Sequence, residues 1–543
     1  MTATIADLLA SAEPTESQPL GALIARLDAE GRLRGARRDG RAIGAAALGD
    51  LAIHGIAFDS RDVRPGSLFV AVPGEHLDGH DFVAAAASAG ATAAIVERPV
   101  DGVRIAQLVV DRARSALATA AAWRYGDPSH ELGVVGVTGT DGKTTTCFLA
   151  VAALEAAGRS AGLIGTVDTK IGSLRESNAE HATTPEAPVL QSALRAMVRE
   201  GNAVAVVETT SHGLALERVA GIAYDVAILT NLTHEHLELH GSWEAYRDAK
   251  LSLFERLREG PANPGKTGFP KSAIVNVDDP SAGLFAGVAQ EAGARLVTYG
   301  TDATADVRAT RVEEDERGLR IALTGPSGEA SLALRLAGRF NVHNALAVVA
   351  LGEALGLDPV AVHAGLESVD RIPGRMERID AGQPFGVIVD YAHSPASLEA
   401  VLELLGPVAA ARGGELIAVF GSAGERDTAK RPMMGRIAGE RCRLVVVTDE
   451  DPRGEDREAI LDEIAVGAEA VGRRRGHDLL LIPDRAAAIE AAFERARPGD
   501  LVLLAGKGHE QSIIGASGPL PWDERTAAID ALAGLGYRPG DRG

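Results

Sequence analysis

The chain has 543 residues, 46% hydrophobic, and its 75 Asp and Glu outweigh 55 Lys and Arg for a formal net charge of -20. That length suits roughly three domains with their own cores, and the charge excludes an extended nucleic-acid surface, which needs clustered cations. Two distant cysteines, Cys147 and Cys442, form neither a disulfide framework nor a metal knuckle, so a reducing, cytoplasmic setting is expected.

Residues 1 to about 46, including the basic stretch Arg32 to Arg41, read as a helical or partly ordered lead-in without a motif. No basic region followed by an apolar one opens the chain, and no apolar run reaches about eighteen residues, so neither secretion nor membrane insertion is expected. Gly126-Asp127-Pro128-Ser129 is turn chemistry, which puts a domain boundary near Glu131. Leu132 to Val137 then reads as a strand and Thr144 to Ala157 as a helix. Between them lies Gly136-Val-Thr-Gly-Thr-Asp-Gly-Lys-Thr-Thr-Thr146. Glycines there let backbone amides face phosphates, the helix adds its positive end, Lys143 can reach the β- and γ-phosphates, and Thr144 can hold Mg²⁺. The strict Walker spacing would place a glycine where Val137 stands, so the loop is a variant.

Further along, apolar runs alternate with alanine-rich stretches, the pattern of a parallel sheet with helical crossovers. Ala203 to Val207 leads to Glu208, Val226 to Leu229 to Asn231, and Val387 to Val389 to Asp390. Leu416 to Phe420 leads to Gly421-Ser422, Leu444 to Val447 to Thr448-Asp449-Glu450-Asp451, and Leu501 to Leu504 to Gly506-Lys507-Gly508-His509-Glu510. Ligands of open α/β sheets bind beyond such strand ends. His234, His236 and His240 cluster closely, but a zinc-protease helix needs Glu directly after the first of two His four apart, and Leu237 follows His236. Mg²⁺ on oxygen ligands is the simpler reading, with Glu208 and His236 as candidates beside the phosphates. Arg371-Ile-Pro-Gly374 marks a second break, giving expected domains of 1–130, 131–370 and 371–543.

Thr138-Gly-Thr-Asp-Gly-Lys-Thr-Thr145, Glu208 with Ser211-His212, Asn231-Leu-Thr with His236, and Gly338-Arg-Phe-Asn-Val-His-Asn344 resemble the ATP-dependent Mur ligases. Pro373-Gly-Arg-Met-Glu377, Asp390-Tyr-Ala-His-Ser-Pro395, Gly424-Glu-Arg-Asp427 with Lys430-Arg431-Pro432, and Gly506-Lys-Gly-His-Glu510 are similar to one branch, the UDP-N-acetylmuramoyl-tripeptide synthetases. The resemblance runs from about Asp59 to the C-terminus. It implies an α/β fold of three domains: an N-terminal UDP-binding domain, a central P-loop ATPase with a mostly parallel sheet, and a Rossmann-like C-terminal domain. It also implies a reaction: the carboxylate of UDP-N-acetylmuramoyl-L-alanyl-D-glutamate takes the γ-phosphoryl group of ATP, and a diamino acid's amine displaces phosphate.

The resemblance assigns ATP to Gly139, Thr140, Asp141, Gly142, Lys143, Thr144 and Thr145, with Asn341, Asn344, Arg375 and Asp390. Lys143, Glu208, His236 and Lys250 become catalytic. One Mg²⁺ is assigned to Thr144 and Glu208 and a second to His236 and Lys250, the lysine as a carbamate. The UDP-muramoyl-dipeptide falls to Ser60, Glu75, His76, Leu77, Thr183, Thr184, Thr210 and Arg218. The amino acid falls to Arg426, Glu450, Asp451, Pro452, Arg453, Gly506 and Glu510, with Arg426 pairing its carboxylate. Only small-molecule substrates are implied as partners, with the protein acting as a monomer.

Several residues depart from the pattern: Asp141, Ala182 and Leu216 replace Asn, Asn and Gln, and Glu235 replaces Asp. Glu450-Asp451-Pro452-Arg453 stands where Asp-Asn-Pro-Arg is usual for diaminopimelate enzymes. Arg453 suits a distal carboxylate and favours meso-2,6-diaminopimelate, whereas the charge of Asp451 suits the bare ammonium of lysine or ornithine. Rival readings are a ligase adding D-Ala-D-Ala or glutamate to folates, and a P-loop phosphotransferase. The C-terminal motifs argue against both.

Overall fold

The computed structural model describes residues 3–74, 77–178, 182–233, 240–258, 269–315 and 318–538. They form two compact units, the first from Met1–Glu313, Arg320–Leu334 and Phe340–Ser368, the second from Glu314–Leu319, Arg335–Arg339 and Val369–Gly543.

The first unit holds two large sheets. In the six-stranded one, Gly55–Ala57, Ser67–Val70, Ala93–Val96 and Ala106–Val110 run parallel, and Leu33–Arg38 and Arg41–Ile43 extend it antiparallel. The lead-in is therefore built into the fold. Its basic stretch forms an edge hairpin, where one face stays in water and charged side chains cost little. Ahead of it, the helix Ile5–Ala12 carries a capping box from Thr4 and Asp7. It is tied to the second sheet's layer by Ile5 N–H donating to Glu176 and Ser192 Oγ donating to the Leu9 carbonyl. The buried Arg124 guanidinium fastens the next turn through the carbonyls of Pro14, Glu16 and His54.

The second sheet has eleven strands. Its centre runs in the order Ala161–Ile164, Val204–Glu208, Gly133–Thr138, Val226–Leu229, Ser272–Asn276, Arg295–Gly300, all parallel. These strands are buried on both faces, which explains their unbroken Val, Ile, Leu and Ala runs. The register sets Glu208 opposite Val137 and Leu229 opposite Thr138, so three strand ends finish level. The expected strand and helix around the glycine-rich loop occur as Gly133–Thr138 and Lys143–Ala156.

The second unit has one six-stranded sheet, ordered Glu377–Ile379, Gly386–Asp390, Leu501–Ala505, Leu416–Phe420, Leu444–Val447, Leu479–Leu481. All neighbours are parallel except the first pair. Asp390 pairs with Ala505, and the Gly506 and Tyr391 turns leave side by side. A hairpin of Ser512–Gly515 and Gly518–Pro521 follows. Among the described residues no helix is long and apolar enough to cross a membrane, and both cysteines are free and buried.

Candidate active site

The loop after Gly133–Thr138 requires its glycines. Gly139 has φ 148°, and a Cβ there would stand 1.9 Å from Thr230 Oγ1; Gly142 has φ 78°, and a Cβ would stand 2.3 Å from Asn344 Oδ1. The neighbouring strand end fixes the loop. Thr140 N–H donates to the Asn231 carbonyl (2.8 Å), Asp141 N–H to Asn231 Oδ1 (2.9 Å), and Thr230 Oγ1 to the Asp141 carbonyl (2.6 Å). The Asp141 residue itself is exposed, so its extra charge is solvated.

Two lysines converge on one carbonyl in this loop. Lys143 Nζ donates to Gly139 O (3.0 Å) and Thr140 O (2.6 Å), and Lys250 Nζ donates to Gly139 O (2.6 Å). Lys250 is only 1% exposed and sits 4.5 Å from the centre of the Tyr246 ring, whose hydroxyl lies 2.9 Å from Thr140 Oγ1. It is thus no solvated helix lysine. Thr144 Oγ1 donates to Glu208 Oε1 (2.9 Å), and Thr166 N–H donates to Glu208 Oε2 (2.9 Å). A hydroxyl at the start of a helix and a carboxylate at the end of a strand are hard oxygen donors of the kind Mg²⁺ takes, so the residues fit that ion. Thr145, Asn341 and Asn344 are buried behind the loop, with Asn344 Nδ2 donating to Asn341 Oδ1 (2.9 Å). His240 stacks edge-on with His212 and Tyr246; burial and the Lys250 charge push its pKa down. His234, Glu235 and His236 lie outside the described residues.

Four of the eight residues assigned to the UDP-muramoyl-dipeptide, Thr183, Thr184, Thr210 and Arg218, lie together beside Glu208. Thr184 Oγ1 donates to the Glu208 carbonyl (2.8 Å) and lies 3.0 Å from Thr210 Oγ1; Thr183 Oγ1 lies 2.9 Å from Thr166 Oγ1. Arg218 donates to the Thr184 carbonyl (2.9 Å) and pairs with Glu186. Ala182 lends only its carbonyl, to Asn178 Nδ2 (3.1 Å). On the first sheet, Ser60 opens the turn Ser60–Asp62. Asp59 caps that turn, its carboxyl held at about 2 by hydrogen bonds from Arg61. Leu77 is 68% exposed; Glu75 and His76 lie outside the described residues.

In the second unit, Asp390 accepts from the N–H groups of Met376 (2.8 Å) and Ala392 (2.9 Å), and the Arg375 guanidinium lies 4.7 Å over the Tyr391 ring. Glu450, Asp451 and Pro452 are buried beside Gly506, whereas Arg426 is exposed. Burial raises the Glu450 pKa against the opposing charges of Lys430 and Lys507, and its Oε2 has no hydrogen-bond partner among the described residues. Asp451 is already engaged: Lys507 Nζ (2.8 Å) and Ile514 N–H (2.9 Å) both reach Oδ1. Arg453, at φ 54°, donates its N–H to the Ile514 carbonyl (2.8 Å), and its Nε is buried without a hydrogen-bond partner among the described residues.

Residues 137–352 match the Mur ligase middle domain, 374–508 the Mur ligase glutamate ligase domain, and 52–125 the Mur ligase family catalytic domain. A UDP-N-acetylmuramyl-tripeptide synthetase of Roseiflexus sp. (strain RS-1) is 52% identical over 491 residues, covering 89% of this chain and 95% of its own. The chain belongs to the Mur ligase family. A Streptomyces coelicolor UDP-N-acetylmuramoyl-L-alanyl-D-glutamate--2,6-diaminopimelate ligase is 42% identical over 90% of this chain and 94% of its own. A solved structure of a ligase with that same name superposes with TM-score 0.61 at 30% identity, over 90% of this chain and 96% of its own. The Mur ligases are ATP-dependent amide ligases that release ADP and phosphate, and this chain is an enzyme of that kind.

The sequence alone assigns no role to Tyr246, Thr166, Lys507, Tyr391 or Arg485. Arg485 is fully buried, is paired with Glu524, and donates to the carbonyls of Asp449 (2.9 Å) and Ala505 (2.7 Å). Lys507 and Tyr391 sit inside motifs already singled out, so their type and place were visible although their partners were not.

Proposed function

We propose that this Mur ligase joins a diamino acid, meso-2,6-diaminopimelate for preference, to UDP-N-acetylmuramoyl-L-alanyl-D-glutamate. The engagement of Asp451 carries the choice of amino acid. An aspartate neutralised by Lys507 and bonded to Ile514 N–H is a poor receptor for a distal ammonium, while the guanidinium fork of Arg453 suits a distal carboxylate. The reading agrees with the names of relatives from Syntrophomonas wolfei and Streptomyces coelicolor.

In this reading the dipeptide's terminal carboxylate, met by Thr183, Thr184, Thr210 and Arg218, attacks the γ-phosphorus of ATP. The bond to the β-γ bridging oxygen breaks, ADP leaves, and an acyl phosphate forms. The amine of the diamino acid, having lost a proton, attacks the acyl carbon; an amide forms and inorganic phosphate departs. The protein needs no nucleophile of its own, and its work is positioning and charge neutralisation. Lys143 and the loop amides between Gly139 and Thr145 neutralise the moving phosphoryl group. Mg²⁺, held by Thr144 and Glu208, would supply charge neutralisation between phosphate oxygens. Lys250 is assigned as a carbamate: two ammonium groups sharing the Gly139 carbonyl repel each other, and carbamylation would replace one cation by an anion able to join His236 as a metal ligand. Gly506 and Glu510 hold the amino acid, with Arg426 paired to its carboxylate.

The test is phosphate release by purified protein with ATP, the UDP-muramoyl-dipeptide and a panel of diamino acids. Release with diaminopimelate well above lysine and ornithine is expected. Release favouring lysine would overturn the choice of amino acid, and release independent of any amine would overturn the ligase reading.

A further inference from the structure

Two acidic side chains of the amino-acid region, Asp451 and Glu510, hold one ammonium group, whose charge also acts on Glu450. Lys507 is fully buried, with Nζ 2.8 Å from Asp451 Oδ1 and 2.5 Å from Glu510 Oε2. Glu510 is held further by its own N–H donating to the Lys507 carbonyl (2.9 Å) and by the Tyr391 hydroxyl 3.4 Å from Oε1. Asp451 Oδ1 also accepts from Ile514 N–H, while Arg453 N–H donates to the Ile514 carbonyl. The turn carrying residues 451 to 453 is therefore pinned to the strand Ser512–Gly515 at two points, one of which depends on the carboxylate that Lys507 neutralises.

A buried carboxylate without a counter-charge is costly, whereas a hydrogen-bonded pair is tolerated. Lys507 accordingly does two things at once: it makes an acid at position 451 compatible with burial, and it orients Glu510. It also opposes the burial penalty on Glu450, whose Oε2 is left without a partner.

We propose that Lys507 is a positioning residue for amino-acid recognition, coupled to Asp451, and that it sets the geometry of Glu510 and of the turn bearing Arg453 without itself touching the amino acid. The proposal rests on the diamino-acid ligase reading above and extends it to a residue outside the assigned contacts.

The experiment uses the full chain with three variants, Lys507→Met, Asp451→Asn and the double substitution, measuring KM for each of the three substrates. Lys507→Met leaves two carboxylates unneutralised and should raise the KM for the diamino acid about 100-fold, in the range found when one partner of a buried charge pair is removed. The KM for ATP and for the UDP-muramoyl-dipeptide should stay within about twofold, because neither site includes the pair. Asp451→Asn alone keeps Lys507 on Glu510, and its diamino-acid KM is the reference against which the double variant is read. Adding Asp451→Asn to Lys507→Met should recover at least about tenfold, since it removes one stranded charge. Should Lys507→Met fail to fold, the double variant and Lys507→Arg take its place, and both should show the KM change confined to the amino acid. An unchanged diamino-acid KM, a loss shared equally by all three substrates, or no recovery in the double variant would overturn the coupling. A wild-type protein inactive with every diamino acid would instead remove the reading beneath it.

Discussion

Replacing Gly139 by alanine tests the loop most directly. The new Cβ would lie 1.9 Å from Thr230 Oγ1 and 2.9 to 3.0 Å from the backbone O and N of Asn231, at a φ of 148°. Thr230 cannot simply turn away, because its hydroxyl donates to the Asp141 carbonyl at 2.6 Å, and the Asn231 backbone is fixed by the strand before it. The backbone strain costs about 1–3 kcal/mol, and forcing a methyl into a packed site about 1–3 kcal/mol more. A total of roughly 2–6 kcal/mol is met most cheaply by a shift of the loop, so it falls on nucleotide binding. At about 1.4 kcal/mol per tenfold, ATP affinity should drop roughly thirty- to twenty-thousand-fold. Isothermal titration with a non-hydrolysable ATP analogue measures it. Gly158→Ala is the control: it carries φ 75° just beyond the same helix, and its Cβ would meet nothing within 4 Å. It should cost stability slightly and leave ATP binding intact. Wild-type affinity in Gly139→Ala, or equal losses in both variants, would refute the steric argument.

Lys143→Met should lower dipeptide-dependent phosphate release at least about a thousandfold; retained turnover would sink the assignment of the loop to ATP. Arg453→Met should raise the KM for diaminopimelate by at least about tenfold and spare lysine, and equal effects on the two would remove the distal-carboxylate argument. His393 is pushed down to about 4 by burial and the Lys430 charge. The unfolded chain takes up that proton near 6.5 and the folded one only near 4, so this group's stabilisation is complete above 6.5 and is lost as pH falls through that window. His393→Asn should remove up to about 3 kcal/mol of the wild-type's loss of stability between pH 7 and 4, read from urea midpoints; parallel pH curves would contradict it. Arg485→Met strands Glu524 and should cost about 3–5 kcal/mol, visible as a thermal midpoint lowered by roughly 10 °C. An unmoved midpoint would show that the pair contributes nothing.

What could be read from the sequence was local. The glycine-rich loop, the strand before it and the helix after it announce themselves within a dozen residues, as does the burial of parallel strands in Val204–Glu208 and Leu444–Val447. What escaped was long-range. Lys250 stands on an ordinary amphipathic helix, and only the fold brings its ammonium to Gly139, 111 positions away. Arg485 and Glu524 are 39 apart, on two different helices that no local pattern links. The charge of Asp451 seemed a clue to the substrate until Lys507 was found on it, 56 residues later. The hairpin at 33–43 escaped because edge strands need not alternate apolar and polar residues cleanly.

The Arg485 guanidinium bonds at once to a helix carboxylate and to the carbonyls of Asp449 and Ala505, which directly precede Glu450 and Gly506. One side chain thus belongs both to the core's inventory and to the framework of the amino-acid region. Loss of that guanidinium would loosen both strand ends at once, so the backbone under Glu450 and Gly506 depends on a residue outside the region itself, and a graft of the whole loop onto a scaffold lacking this arginine would arrive without its anchor.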